Sequence, residues 1–171
     1  IEIRDSVSCK LVRRIAGPGD FQLSVHAGSV ICGTTPEDDN AIAIFDWTGK
    51  RTITFKADPR LRLGRLDMFH LAFSNDQKIC AIGSGRVPLE IVDLKNGTRI
   101  RRYSDRNQNF TSVGFSPDDK VLAASTASGM IRLWDVASGN LKHQIQAGDK
   151  YIQQIRFSPD GKILASCGDE E

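Results

Sequence analysis

A chain of 171 residues buries about two-thirds of its unfolded surface on folding, enough for the core of one or two small domains. Its 23 basic and 21 acidic residues leave a net charge of +2, which gives no general pull toward nucleic acid or an anionic membrane. No apolar run reaches the roughly 18 residues that a membrane-spanning helix needs, and the opening IEIRDSVSCK lacks the basic, apolar and small-residue sections of a signal peptide.

Taken in chain order, the predicted elements are short strands. Residues 1–15 hold two of them around the turn after Asp5. Three longer units follow, at 21–55, 68–103 and 110–145, and residues 150–167 hold two more strands. The third unit is the clearest. Its runs 109–115, 121–125, 130–134 and 141–145 are rich in β-branched and apolar residues and are divided by Pro-Asp-Asp and two Ala-Ser-Gly turns. Alternation such as Ile131 and Leu133 against Met130, Arg132 and Trp134 suits strands covered on both faces, and helical spacing is nowhere sustained.

The units repeat. LAFSNDQK with Phe73, VGFSPDDK with Phe115 and IRFSPDGK with Phe157 are spaced at successive intervals of 42 residues. A second element runs in step, as IEIRD with Asp5, IAIFD with Asp46, LEIVD with Asp93 and IRLWD with Asp135, at intervals of 41, 47 and 42. A period of this length points to a stacked array, and short antiparallel strands as its filling point to an all-β propeller of four-stranded blades.

At IRLWDVASG (131–139), with its Trp134–Asp135 pair, and at the FSPDDK and FSPDGK turns, the chain resembles WD-repeat propellers. The resemblance is strongest over 110–167, fair over 68–103 and weak before that. It implies three complete blades, 21–55, 68–103 and 110–145, with half blades at 1–15 and 150–167, and Phe73, Phe115, Phe157, Asp46, Asp93, Trp134 and Asp135 as the structural repeat. It also implies a buried polar network in each blade, and here this chain departs. Ala124 stands at the Ser/Thr position, Ser128 at the Asp position and Arg106 at the His position, while Arg4, Phe45 and Val92 replace the tryptophan of the other units. Apolar packing between blades is therefore expected to supply most of the stability. The two half blades either pair into one composite blade, closing a four-bladed ring and hiding two sheet edges, or belong to a longer propeller; the second is the expectation, because propellers of this family usually have more blades.

Catalytic, cofactor and metal constellations are not found. The cysteines Cys9, Cys32, Cys80 and Cys167 form no C-x-x-C pair and have no clustered histidine, so they read as reduced residues, buried in strands for the most part, in a reducing, cytoplasmic setting. His26, His70 and His143 fall in different units without metal-pair spacing and read as surface or strand-edge histidines. GSGRVP (83–88) fails as a phosphate cradle, since proline ends it and no helix follows. The acidic runs 36–40 and 169–171 lack alternate-residue ligand spacing and read as solvated turns. Trp47 reads as turn packing.

The arginines carry the functional expectation. Nine lie between Arg51 and Arg106, and the loop ADPRLRLGRLD (57–67) is six residues longer than its two counterparts. In a four-stranded meander the fourth-to-first and second-to-third connections leave on one face, which places Arg60, Arg62, Arg65, Arg86 and Arg106 on one rim, with Glu37, Asp38 and Asp39 one blade earlier. Loops on a rigid scaffold suit recognition, and arginine suits bidentate capture of carboxylate. The expected role is a non-catalytic scaffold whose rim binds an acidic segment of a protein partner. The alternative is the accessory propeller of a larger enzyme, such as a bacterial protein kinase or a peptidase, with catalysis elsewhere. Nucleic acid is disfavoured as a partner by sparse aromatics near the arginines and a net charge near zero.

Overall fold

The computed structural model describes residues 2–4, 11–14, 21–26, 29–35, 38–46, 50–56, 70–83, 88–103, 108–148 and 150–169, with side chains at Lys50 and Thr54 and from His70 onward within these ranges. Every regular element among them is a β-strand, and the chain divides into two compact units, Ile1–Arg65 and Leu66–Glu171.

In the first unit β1 (Glu2–Arg4) pairs antiparallel with β2 (Leu11–Arg14). A separate four-stranded antiparallel meander runs β3 (Phe21–His26), β4 (Ser29–Thr35), β5 (Asp38–Asp46) and β6 (Arg51–Lys56). One expectation is corrected here. Asp38, Asp39 and Asn40 do not lie in a turn; they open β5, with Asp38 opposite Thr35. The ladder that Ile42, Ala43, Ile44 and Phe45 make on both sides extends β5 upstream into these polar residues.

The second unit holds two more four-stranded meanders. The first comprises β7 (His70–Phe73), β8 (Ile79–Gly83), β9 (Glu90–Asp93) and β10 (Arg99–Arg102). The next comprises β11 (Phe110–Phe115), β12 (Val121–Thr126), β13 (Met130–Asp135) and β14 (Leu141–Gln146). A two-stranded pair follows, β15 (Ile152–Phe157) and β16 (Leu164–Gly168). The innermost strand β11 lies beside both β7 and β15, and the Ser112 hydroxyl accepts a 3.2 Å bond from the Ile155 amide. The repeat Phe keeps one register throughout: Phe73 faces Cys80, Phe115 faces Leu122 and Phe157 faces Leu164.

Strand alternation explains how β12 and β13 serve two cores at once. Leu122, Ala124 and Trp134 point to a cluster with Ala81, Leu89, Ile91, Phe110 and Val113. The intervening residues Ala123 and Ile131 point the other way, to Ile152 and Ile155. Ala123 and Ala124 have no exposed surface, and their small side chains let a sheet pack closely on each face of β12. The outer strand β14 is exposed along its whole length.

Trp134 is 3% exposed and stands edge-on to two rings: Tyr103 at 6.0 Å and 67°, and Phe110 at 6.5 Å and 68°. Such edge-to-face pairs contribute about 1 kcal/mol each beyond burial. Of the residues at the expected polar-network positions, Ser128 pairs locally with the neighbouring Thr126 hydroxyl at 3.0 Å, Ala124 packs in the apolar cluster, and Arg106 lies outside the described residues. Replacing Trp134 with alanine is expected to lower the stability of this unit by about 3–5 kcal/mol, with Trp134→Phe keeping more than half of it. Urea unfolding followed by far-UV circular dichroism measures both, and an unchanged midpoint for Trp134→Ala would show that the cluster does not depend on the indole.

Candidate functional site

The sheet β11–β14 has two ends of different chemistry. At one end lie the β11–β12 and β13–β14 turns, joined where the Val136 amide donates to the Lys120 carbonyl at 2.9 Å. The equivalent bond in the preceding sheet runs from the Leu94 amide to the Lys78 carbonyl at 2.8 Å.

Ser-x-Asp-x-Lys chemistry builds the first turn of each repeat. The hydroxyls of Ser74, Ser116 and Ser158 donate to Asp76, Asp118 and Asp160 at 2.7, 2.7 and 2.6 Å. The same hydroxyls accept from the amides of Ile79, Val121 and Ile163 at 3.1, 2.9 and 3.0 Å. The fourth turn residue takes positive φ, at Gln77 (58°), Asp119 (58°) and Gly161 (72°). Each aspartate also meets the lysine two residues on, at 2.9, 3.8 and 3.9 Å. The Lys78 ammonium and the Ser74 hydroxyl hold the Asp76 carboxyl down to about 2. The Ser116 and Ser158 hydroxyls lower Asp118 and Asp160 in the same direction.

Asp93 and Asp135 cap the second turn. The Asp135 carboxylate accepts from the Ser138 amide and hydroxyl, both at 2.8 Å, and these bonds, with Lys142 at 3.4 Å, lower its pKa. Asp93 accepts from the Lys95 and Asn96 amides at 2.7 and 3.1 Å. Gly139 sits at φ +78°, a conformation that favours glycine, and a Cβ there would displace the Arg101 side chain, whose Cδ lies at 2.7 Å.

Contacts between successive sheets finish this end. The Asp119 carboxylate accepts from the Asn75 and Asp76 amides at 2.8 and 3.0 Å. In the following pair of turns proline (Pro117) replaces Asn75 and glycine (Gly161) replaces Asp119, and a Cβ on Gly161 would lie 3.3 Å from the proline ring, so a polar latch gives way to an apolar contact. Arg101 donates to the carbonyls of Ser138 and Ala137 at 2.7 and 2.9 Å, and the Tyr103 hydroxyl to Val136 at 2.8 Å. Glu90, 8% exposed, gathers Arg99 at 2.7 Å and Arg102 at 2.8 Å. Three of the nine arginines are thus occupied inside the fold.

The other end is where Asn109 enters β11, β12 turns into β13 and the chain leaves β14. The Ala127 amide donates to the Asn109 carbonyl and the Ala147 amide to Gly129, both at 2.9 Å. Arg132 donates through Nε to Gln144 at 3.1 Å and through Nη1 to Gln108. Gln146 donates to the Ser128 carbonyl at 2.9 Å. Among the described residues, the side-chain bonds at this end are made by the amides of Gln108, Gln144 and Gln146, the hydroxyls of Thr126 and Ser128 and the Arg132 guanidinium.

Of the residues expected to bind a partner, Arg60, Arg62, Arg65, Arg86 and Arg106 all lie outside the described residues, as do Glu37, Trp47, Glu170 and Glu171. Asp46 ends β5, Phe73 is buried, and Phe115 and Phe157 are half-buried. Asp93, Trp134 and Asp135 hold the turn and core positions just described. The clamp on Glu90, the Asn75–Asp119 latch and Arg132 were not read from the sequence; the 42-residue alignment that pairs position 75 with 117 and 119 with 161 is the signal that exposes the latch. Cys80 is a buried free thiol whose pKa burial raises, and Cys167 is free and exposed. Among the described residues no group of three His, Cys, Asp or Glu side chains is placed to hold a metal ion, and no helix is long and apolar enough to cross a membrane.

Residues 99–158, from β10 through the whole of β11–β14 to the Ser158 turn, match the family model for the WD40 domain of anaphase-promoting complex subunit 4. No curated protein matches the chain.

His70, half-buried at the start of β7, has its pKa pulled by burial from 6.5 to about 4. A depressed histidine pKa means that the unfolded chain binds the proton first. Stability is therefore unaffected by this group above pH 6.5, falls as pH drops through the window down to about 4, and levels off below it. The loss is on the order of 3 kcal/mol. Thermal unfolding between pH 7 and 4 is expected to show this decline in the native chain and a flatter profile in His70→Gln; identical slopes would remove His70 as the cause.

Proposed function

We propose that the chain is a WD40-repeat propeller, as the match over residues 99–158 supports, and that it serves as a non-catalytic protein-interaction scaffold recognising an acidic segment of a partner protein through arginine-bearing loops. WD40 domains in general bind proteins, and the rest of the reading is specific to this chain.

The distribution of charge on the described strands and turns carries it. Arg99, Arg101 and Arg102 are committed to Glu90 and to the β13–β14 turn, and Asp76, Asp118 and Asp160 are each paired with a lysine of the same turn. These six side chains are thus engaged within the fold. The remaining arginines between Arg51 and Arg106 include Arg60, Arg62 and Arg65 in the extended loop, Arg86 in the connection after β8, and Arg106 in the connection before β11. Guanidinium groups bind carboxylates in a bidentate fork, and connections on a rigid sheet bring that fork to a partner without reorganising the core. A reducing, cytoplasmic setting belongs to the same reading.

Joint replacement of Arg60, Arg62 and Arg65 by alanine is expected to leave the circular dichroism spectrum unchanged and to weaken binding of partner proteins from lysate by about 10-fold or more. A captured set identical to that of the native chain would reject the loop as the binding element.

A further inference from the structure

We propose that Arg132 reads a carboxylate of the partner at the loop end of sheet β11–β14; the proposal rests on the acidic-segment reading above and assigns it a residue outside the loops that suggested it. Register places Arg132 between Ala124 on β12 and Gln144 on β14. Ala124 is fully buried and brings no polar group to the guanidinium. The two acceptors described for Arg132, the side-chain oxygens of Gln144 and Gln108, are neutral amides.

This arrangement orients the charge without cancelling it. A guanidinium carries more N–H donors than two amide oxygens use, and a half-buried cation that has lost part of its hydration gains from a carboxylate more than an exposed one does. The contrast with the other arginines whose side chains are described is direct. Arg99 and Arg102 share the Glu90 carboxylate. Arg101 spends both terminal nitrogens on turn carbonyls, and its Nε is buried without a partner. Arg156, exposed, rests Nη1 on the Ile155 carbonyl. Arg101 and Arg132 are the two of these five that are half-buried and bonded to neutral groups only, and of the two Arg132 alone is held by side-chain amides, through Nε and Nη1, rather than by turn carbonyls.

The surroundings suit an incoming strand or loop with acidic side chains. Gln108 follows Arg106 by two residues, and Ser128, Gly129 and Gln146 border the same end of the sheet. Among the described residues, no carboxylate bonds to Arg132. The amides on either side fix the plane of the guanidinium, which lowers the entropy lost when a bidentate carboxylate docks.

The test uses the full chain and a fluorescein-labelled synthetic peptide of alternating Glu and Asp, with a Gln and Asn peptide as the uncharged control, read by anisotropy at physiological salt. The native chain is expected to bind the acidic peptide and not the control. Arg132→Gln is expected to weaken binding by about 10-fold or more, and Arg132→Lys, which keeps the charge but loses the fork, to recover only part of it. Thermal midpoints of the free proteins accompany each measurement. A lowered midpoint in Arg132→Gln with native affinity shows a purely structural residue and overturns the proposal. Loss of binding in the Arg60, Arg62 and Arg65 triple variant with native affinity in Arg132→Gln overturns the proposal and leaves the loop reading standing. The reverse result supports Arg132 and removes the loop, while a native chain that ignores the acidic peptide sinks both.

Discussion

Packing of Trp134 between Tyr103 and Phe110 is the contact on which the second unit turns. The indole projects from β13, yet both rings it meets edge-on precede its own hairpin: Tyr103 follows β10 of one sheet, and Phe110 begins β11 of the next. One side chain therefore packs against residues that border both sheets. Several contacts accompany this packing. With the sheets at this separation, Arg101 reaches the carbonyls of Ala137 and Ser138, and the Tyr103 hydroxyl reaches Val136. Gly139, at φ +78°, leaves the Arg101 side chain room to lie over the turn.

The turns complete what the aromatic cluster begins, and they do so with little net charge. In each repeat a serine hydroxyl donates to an aspartate and accepts a backbone amide, while a lysine two residues after the aspartate balances its charge. Surface pairs of this kind add little stability singly. Their value here is local geometry, since the serine, the positive φ that follows and the closing amide bond specify one turn shape. The Asn75–Asp119 latch extends this from within a turn to between turns. Its replacement by Pro117 and Gly161 in the following pair shows two solutions to one spacing, and each needs both of its members.

Much of this fold is legible in the sequence because the determinants are local and periodic. The Phe-Ser turns at 42-residue intervals and the alternation around Ile131 and Leu133 mark β11, β12, β13 and β14 to within a residue or two. The start of β5 is missed because Asp38, Asp39 and Asn40 have turn-like chemistry, and only the ladder with β4 holds them extended. The site is less legible for a related reason. Whether an arginine is available depends on what lies across the strand or across the sheet boundary. Arg99, Arg102 and Arg132 look alike in one dimension; the first two share the Glu90 carboxylate on the neighbouring strand, and the third meets only the neutral amides of Gln108 and Gln144.

That difference links the departure from the family's polar network to recognition. Ala124, opposite Arg132 on β12, presents no side-chain acceptor, and the guanidinium is held by Gln144 on β14 and by Gln108 just before β11. Beneath it, Leu122 and Trp134 continue the same face as packed hydrocarbon. A low-dielectric floor strengthens any charge interaction made above it, because less water screens the pair. The substitution that weakens the blade's internal polar bonding therefore raises what its one amide-held arginine can contribute to a carboxylate from outside.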